Sequence, residues 1–295
     1  MFQIGEYKEL DLSIFNKYNI NSILEVKPEL KQLKYWGNVE LLNNKKISIV
    51  GSRKISYYGK KIINYYVDEF VRNDVVVVSG GMYGVDFEAH LKTLEKGGDT
   101  IMVLGYGVDF IILQKYLQFI KPYVNEENIL VLTEFADSQP PEKWTFPKRN
   151  RLVAAIGDRC LIVEASKGSG SLITADIALE LGKEVFVIPG DIFSHQSAGK
   201  HLLIKQGAIL TDSPSDLLSV SDTVKSSGLI DISDKPEILN NIEQKIITSI
   251  LDGNNTINSL LKSTDIPLNE LTLSITNLEL EQIIKTNLLG EIEIC

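Results

Sequence analysis

The chain has 295 residues, 44% hydrophobic and 23% charged, and its 30 Lys and Arg against 39 Asp and Glu give a net charge of −9. That composition suits a globular protein with room for one large domain and a small one, and no run approaches the ~20 apolar residues of a membrane span. The acidic balance disfavours a general polyanion binder, so a nucleic-acid role would need a local basic patch.

The N-terminal MFQIGEYKEL lacks a signal-peptide pattern, which predicts a cytoplasmic chain. Residues 1–43 are polar and mixed, with short helical patterns in LSIFNKY and SILEVK broken at Pro28, and are expected to cap the next domain. From residue 44 to 218 apolar runs alternate with amphipathic segments. The runs are KISIVGS, VVVVSGG, TIMVLGYG, ILVLTEF, RCLIVEAS, EVFVIPG and AILTD, with helices expected from about Tyr57, Asp86 and Leu113. This alternation predicts βαβ units and an α/β fold with a mostly parallel sheet covered on both faces. Ligands of such sheets bind beyond the carboxyl ends of the strands. Gly51, Ser52 and Arg53, then Ser79, Gly80 and Gly81, then Gly105 to Gly107, and finally Glu164 all fall at those ends.

The densest stretch runs from Trp144 to Gly190. It joins Phe146, Lys148, Arg149, Asn150 and Arg151 to an apolar strand and to the turn Lys167, Gly168, Ser169, Gly170, Ser171, which opens a helix. The first N–H groups of a helix lack intrahelical partners and carry partial positive charge, so that turn is predicted to bind a phosphate, with the cations beside it. Each feature has a plainer reading. The glycines can be turn formers only, Arg53 and Arg149 can be salt-bridge partners of Asp86, Glu134 or Glu164, and for Arg149 and Arg151 internal pairing weighs as much as phosphate contact. His90 is expected to be a hydrogen-bonded core histidine, and Asp86 a helix cap. Cys160, inside an apolar run, is expected to be a buried hydrophobe, and neither it nor the terminal Cys295 is predicted to hold a metal.

Residues 219–236 are rich in Ser and Asp and read as a linker. Residues 237–295 show three helical patterns and a strand-like end, the order of a winged-helix unit, in which LNELTLSITNLELEQ takes the recognition position. Nine acids against three lysines give it a balance of 3 − 9 = −6. Phosphates would be repelled, so a protein-interaction role with a basic partner is expected. The chain's own Lys148 to Arg151 cluster is one such partner and a second protein is another.

The motifs IVGSRKISYYG, SGGMYGVDFEAH, GGDTIMVLGYGVD, TEF followed by FPKRNR, VEASKGSGSLITADIAL, VFVIPGDI and LLIKQGA occur in this order. On them the chain resembles the DprA/Smf (DNA-processing protein A) family from about Asn38 to Asp216. The resemblance implies a Rossmann-like, doubly wound domain that binds single-stranded DNA, forms homodimers and hands the strand to the recombinase RecA in natural transformation. Met82, Tyr83, the stretch Phe110 to Leu113, and His201 depart from the family pattern. A second reading is a nucleotide phosphoribohydrolase-like enzyme of the same superfamily, using Glu164 or Asp86. The PGGxGTxxE run associated with those hydrolases is absent from the sequence. A non-enzymatic binder without cofactor or metal is therefore expected.

Overall fold

The computed structural model describes residues 7–108, 120–219, 241–251, 253–264, 266–280, 284–287 and 292–294. The chain divides into two compact units, residues 1–221 and 222–295. The helix expected from Leu113, the Phe110 to Leu113 departure, the linker beyond Ser219 and Cys295 lie outside the described residues.

In the first unit β1 (Lys8–Glu9) and β2 (Lys34–Gly37) flank two short helices, α1 (Ser13–Lys17) and α2 (Ser22–Glu25). A 3-10 turn over Val39–Asn43 leads into β3 (Lys46–Val50), α3 (Tyr57–Arg72), β4 (Val76–Ser79), α4 (Val85–Glu95) and β5 (Thr100–Leu104). Then come β6 (Ile129–Thr133), α5 (Thr145–Ile156), β7 (Arg159–Ile162), α6 (Gly170–Glu180), β8 (Val185–Val187), α7 (Ala198–Lys205), β9 (Ile209–Leu210) and α8 (Ser215–Leu218). All seven apolar runs of the sequence are strands of one nine-stranded sheet, ordered β1-β2-β6-β5-β4-β3-β7-β8-β9. Strands β6 to β9 pair in parallel, and β2 adds antiparallel to β6. This is the Rossmann-like α/β fold. The N-terminal segment does more than cap it, because β2 extends the sheet through Tyr35 opposite Leu132 and Trp36 opposite Val131.

Strand alternation assigns the two faces. Ile47 and Ile49 of β3 join Ile63, Tyr66, Val67 and Phe70 of α3 and Val85 and Ala89 of α4. Val50, on the other side, joins Leu152 to Ile156 of α5 and Ala175 and Ala178 of α6. Ser48 shares that second face, and its hydroxyl donates to Val153 O at 2.7 Å. Chain order turns outward in opposite directions from β3 toward β4 and from β7 toward β8. The carboxyl ends of β3 and β7 therefore border the switch point at which such sheets bind ligands.

His90 is fully buried in α4, with Nδ1 2.7 Å from Thr100 Oγ1. Burial, helped by the Arg149 charge, lowers its pKa from 6.5 to about 3, so it is the neutral core histidine that the sequence suggests. The sign of the linkage follows. Between pH 6.5 and about 3 only the unfolded chain takes up this proton, so stability falls with pH by up to about 1.4 kcal/mol per unit; above 6.5 the slope vanishes. His90→Gln removes that slope, and urea midpoints from pH 7.5 to 4 should shift in favour of the variant as pH falls. A pH-independent difference would place a protonated His90 in the fold.

In the second unit α9 (Asn241–Leu251), α10 (Ile257–Thr264) and α11 (Leu268–Leu280) precede an antiparallel pair, β10 (Ile284–Thr286) and β11 (Ile292–Ile294). Its own core joins Ile246, Ile247, Leu260, Leu271, Ile275, Leu278, Ile284 and Ile292. No described helix is long and apolar enough to cross a membrane.

Candidate nucleic-acid interface

The turn after β3 is shaped by close backbone packing. Ser52 O accepts from Val85 N at 3.1 Å, which docks Gly51–Arg53 on the start of α4. Gly84, at φ +82°, lets the chain pass there, since a Cβ would lie 2.2 Å from Ser52 O. Gly84, rather than Asp86, is the N-cap residue of α4, and Asp86 sits buried in its first turn. The expected cap role of Asp86 thus becomes a charge role. Burial raises its pKa, and the largest opposing influence is the Arg149 guanidinium, followed by a hydrogen bond from the Met82 N–H.

Arg149 and Arg151 are not the surface cations that one of the two sequence readings required. They are 3% and 2% exposed. Arg149 Nη1 donates to the carbonyl oxygens of Gly80 and Val103, and Nε donates to Asn150 Oδ1 at 3.1 Å. Gly80 must be glycine because a Cβ would lie 2.4 Å from the Arg149 guanidinium. Arg151 Nη2 meets Glu134 Oε2 at 2.5 Å. The helical register of α5 explains the outcome, because Arg149 lies on the side that crosses the ends of β4 and β5, and Arg151 faces the end of β6. Internal pairing is the arrangement found.

Of the cations predicted from the sequence, those at the surface are Arg53, which is exposed, Lys148, whose side chain is 31% exposed, and Lys167. Arg53 Cζ lies 4.9 Å from the Phe146 ring centroid, and Phe146 rests on Gly105, where a Cβ would come within 2.9 Å of its ring. Lys148 Nζ is 3.2 Å from Glu134 Oε2 and 5.0 Å from the buried Phe135 ring. Tyr83 and Trp144 stand beside them, 42% and 51% exposed. The sequence reading passed over Trp144 and Phe135, whose rings meet edge to face at 6.0 Å. The signal available was Trp144 alone, two residues before Phe146 of FPKRNR.

At the end of β7, Ser169 is the N-cap of α6. Its hydroxyl is 2.8 Å from that of Ser171, and it accepts from Ser171 N. Gly168 and Gly170 face open space, so the turn is approachable. Asn150 Nδ2 reaches Gly170 O at 3.2 Å and so ties the Lys148 to Arg151 segment to this turn. Among the predicted turn residues, Ser79, Gly80, Gly81 and Ser171 are buried, and the Ser79 hydroxyl donates to Ile49 O at 2.6 Å. Glu164, 2% exposed, accepts from Ser56 N at 3.1 Å and from the Ser56 hydroxyl, so this carboxylate already fills the N-terminus of α3. Nearby, burial pushes Lys200 down to about 8, the Glu164 charge opposing. A cavity of 430 Å³ with four cations on its wall lies on the opposite, amino edge of the sheet. There Lys183 closes the end of α5 through Ala155 O and Gly157 O, and Arg159 pairs with Glu184 at 2.9 Å, which are structural roles.

Comparison with known proteins follows the same lines. Residues 16–222 match the family described as DNA recombination-mediator protein A. DNA processing protein DprA of Streptococcus pneumoniae is 40% identical over 187 residues, 63% of this chain and 65% of that protein. Protein Smf of Escherichia coli is 37% identical over 182 residues, 62% of this chain and 48% of that protein. In each case the matched stretch spans less than two thirds of the relative's length. The S. pneumoniae DprA crystal structure superposes with a TM-score of 0.65 at 34% identity over 73% of this chain and 74% of that one. DNA processing protein A of Helicobacter pylori, described for its single-stranded DNA binding mode, gives 0.63 at 31% identity over 72% of this chain and 94% of that one. With its motifs in register on a sheet shared with those structures, the chain belongs to the DprA/Smf family of DNA recombination-mediator proteins.

Proposed function

We propose that this chain binds single-stranded DNA across the carboxyl-end face of its first unit and, as a homodimer through that unit, passes the strand to RecA in natural transformation or recombination. The observation that carries the DNA reading is the Arg53 guanidinium over Phe146 beside the half-exposed Lys148. Single-strand sites combine cations that track phosphates with flat π or guanidinium surfaces on which bases stack, tolerating any sequence. Tyr83 and Trp144 extend that surface, and the turn offers the N–H groups of Lys167 and Gly170 to a phosphate, that of Ser169 being held by Ser166 O at 3.1 Å. The H. pylori relative's single-strand binding agrees with this reading. Arg149 and Arg151 serve it by holding α5 on the strand ends.

A nucleotide-hydrolysing role is the weaker reading. It needs a free carboxylate and an ordered water, whereas Glu164 is engaged by Ser56 and Asp86 is buried against the Arg149 charge. The second unit, whose element order is that of a winged helix, takes no part in strand binding here. A chain ending at Ser221 should therefore keep single-strand affinity within about threefold, a change below 1.4 kcal/mol. Gel shifts over a salt series with single- and double-stranded oligonucleotides test both points. Preference for duplex, or loss of binding on truncation with the first unit still folded by circular dichroism, would contradict the proposal.

A further inference from the structure

The second unit carries a surface that its own fold does not use. Buried Leu271, Ser274, Ile275 and Leu278 fix the inward side of α11. The opposite side presents Leu268, Asn269, Thr272, Leu273 and Thr276 to solvent. Leu268 is 55% and Leu273 63% exposed. The two threonine hydroxyls donate back along the helix, Thr272 to Leu268 O at 2.8 Å and Thr276 to Thr272 O at 2.9 Å. Those hydroxyls are thus satisfied, which leaves the γ-methyl groups as the threonines' contribution to the face. The result is an uncharged, largely apolar strip, two turns or about 12 Å long, on a helix with no lysine or arginine.

This is the helix that a winged-helix DNA reader would put into a groove, and it offers phosphates nothing. We propose instead that the outward face of α11 docks an amphipathic helix of a partner protein, with apolar side chains on one face and Lys or Arg flanking them. Helix-in-groove recognition reads apolar anchors at i, i+3 and i+4, and the Leu268, Thr272, Thr276 row with Leu273 beside it supplies the complementary ridge. Charge selects the partner. Residues 237–295 carry nine acids against three lysines, with exposed Glu270 at the start of the same helix. Two copies of this unit would repel each other, whereas a basic helix is attracted. The chain's own Lys148 to Arg151 segment is a poor occupant, since Arg149 and Arg151 are buried in the first unit.

The test uses the full chain and two labelled synthetic helical peptides with the same leucine face, one with lysines and one with glutamates on the polar side. Fluorescence anisotropy should show binding of the lysine peptide and none of the glutamate peptide. Leu268→Ser with Leu273→Ser keeps every charge and should weaken the lysine peptide by at least about tenfold, because each leucine contributes its burial. Thr276→Lys, a second route to the same face, should weaken it as well. Both variants should retain circular dichroism and single-strand DNA affinity, which separates failure here from failure of the DNA reading. The proposal falls if the lysine peptide does not bind, if both peptides bind equally, if neither variant weakens binding, or if the leucine variant instead dissolves a homodimer.

Discussion

Arg149→Ala should unfold or severely destabilise the first unit rather than weaken DNA binding alone. Its guanidinium is 3% exposed, donates to Gly80 O and Val103 O, and is the largest influence opposing the raised pKa of the buried Asp86. Removing it leaves two carbonyl oxygens without that donor and the Asp86 carboxyl without its counter-charge. Breaking such a buried arrangement costs about 3–5 kcal/mol. For a unit of this size that is a fall in Tm of about 6–20 °C. Arg149→Lys should fall between, keeping a charge without the planar fork. Thermal melts decide the matter. An Arg149→Ala chain that melts normally but no longer binds DNA would make Arg149 a ligand contact.

The complementary double variant, Arg53→Ala with Lys148→Ala, should do the opposite. Arg53 is exposed, and loss of Lys148 still leaves Glu134 its partner Arg151, so melting should be unchanged. Single-strand affinity should fall at least about 100-fold, since two charged hydrogen bonds to phosphates are lost and each contributes roughly 1.5–3 kcal/mol. The slope of log K against log salt should flatten by about 1.4, at 0.7 for each lost contact on a single strand. An unaltered slope would place the strand elsewhere. Electrophoretic titrations at several salt concentrations supply both numbers.

These two variants exchange the roles that the sequence alone left open. The order of apolar runs was enough to place every parallel strand, because a strand buried on both sides leaves a continuous apolar signature such as VVVV. The pairing of β2 was hidden, since KYWG is four residues long and has no aliphatic run. The charges in FPKRNR were visible as a cluster, but their directions were not. Successive residues of a helix point about 100° apart, so Lys148 and Arg149 can look to solvent and to the core respectively, and only the packing of α5 on Gly80 decides which. Glu164 illustrates the same limit. A carboxylate at a strand end reads as catalytic until Ser56 is found bonded to both of its oxygens. The aromatic pair Phe135 and Trp144 escaped because the residues are nine positions apart and meet only through the fold.

The central claim, that a single strand lies over the carboxyl ends of β3 to β7, is tested most directly by ultraviolet cross-linking of the full chain to an oligothymidine, with the adducts located by mass spectrometry. Aromatic rings that stack on bases form such adducts, so Phe146, Tyr83 or Trp144 should carry them, and Arg53→Ala with Lys148→Ala should abolish them. Adducts confined to residues 241–294, or to the amino edge around Lys45 and Lys183, would contradict the account.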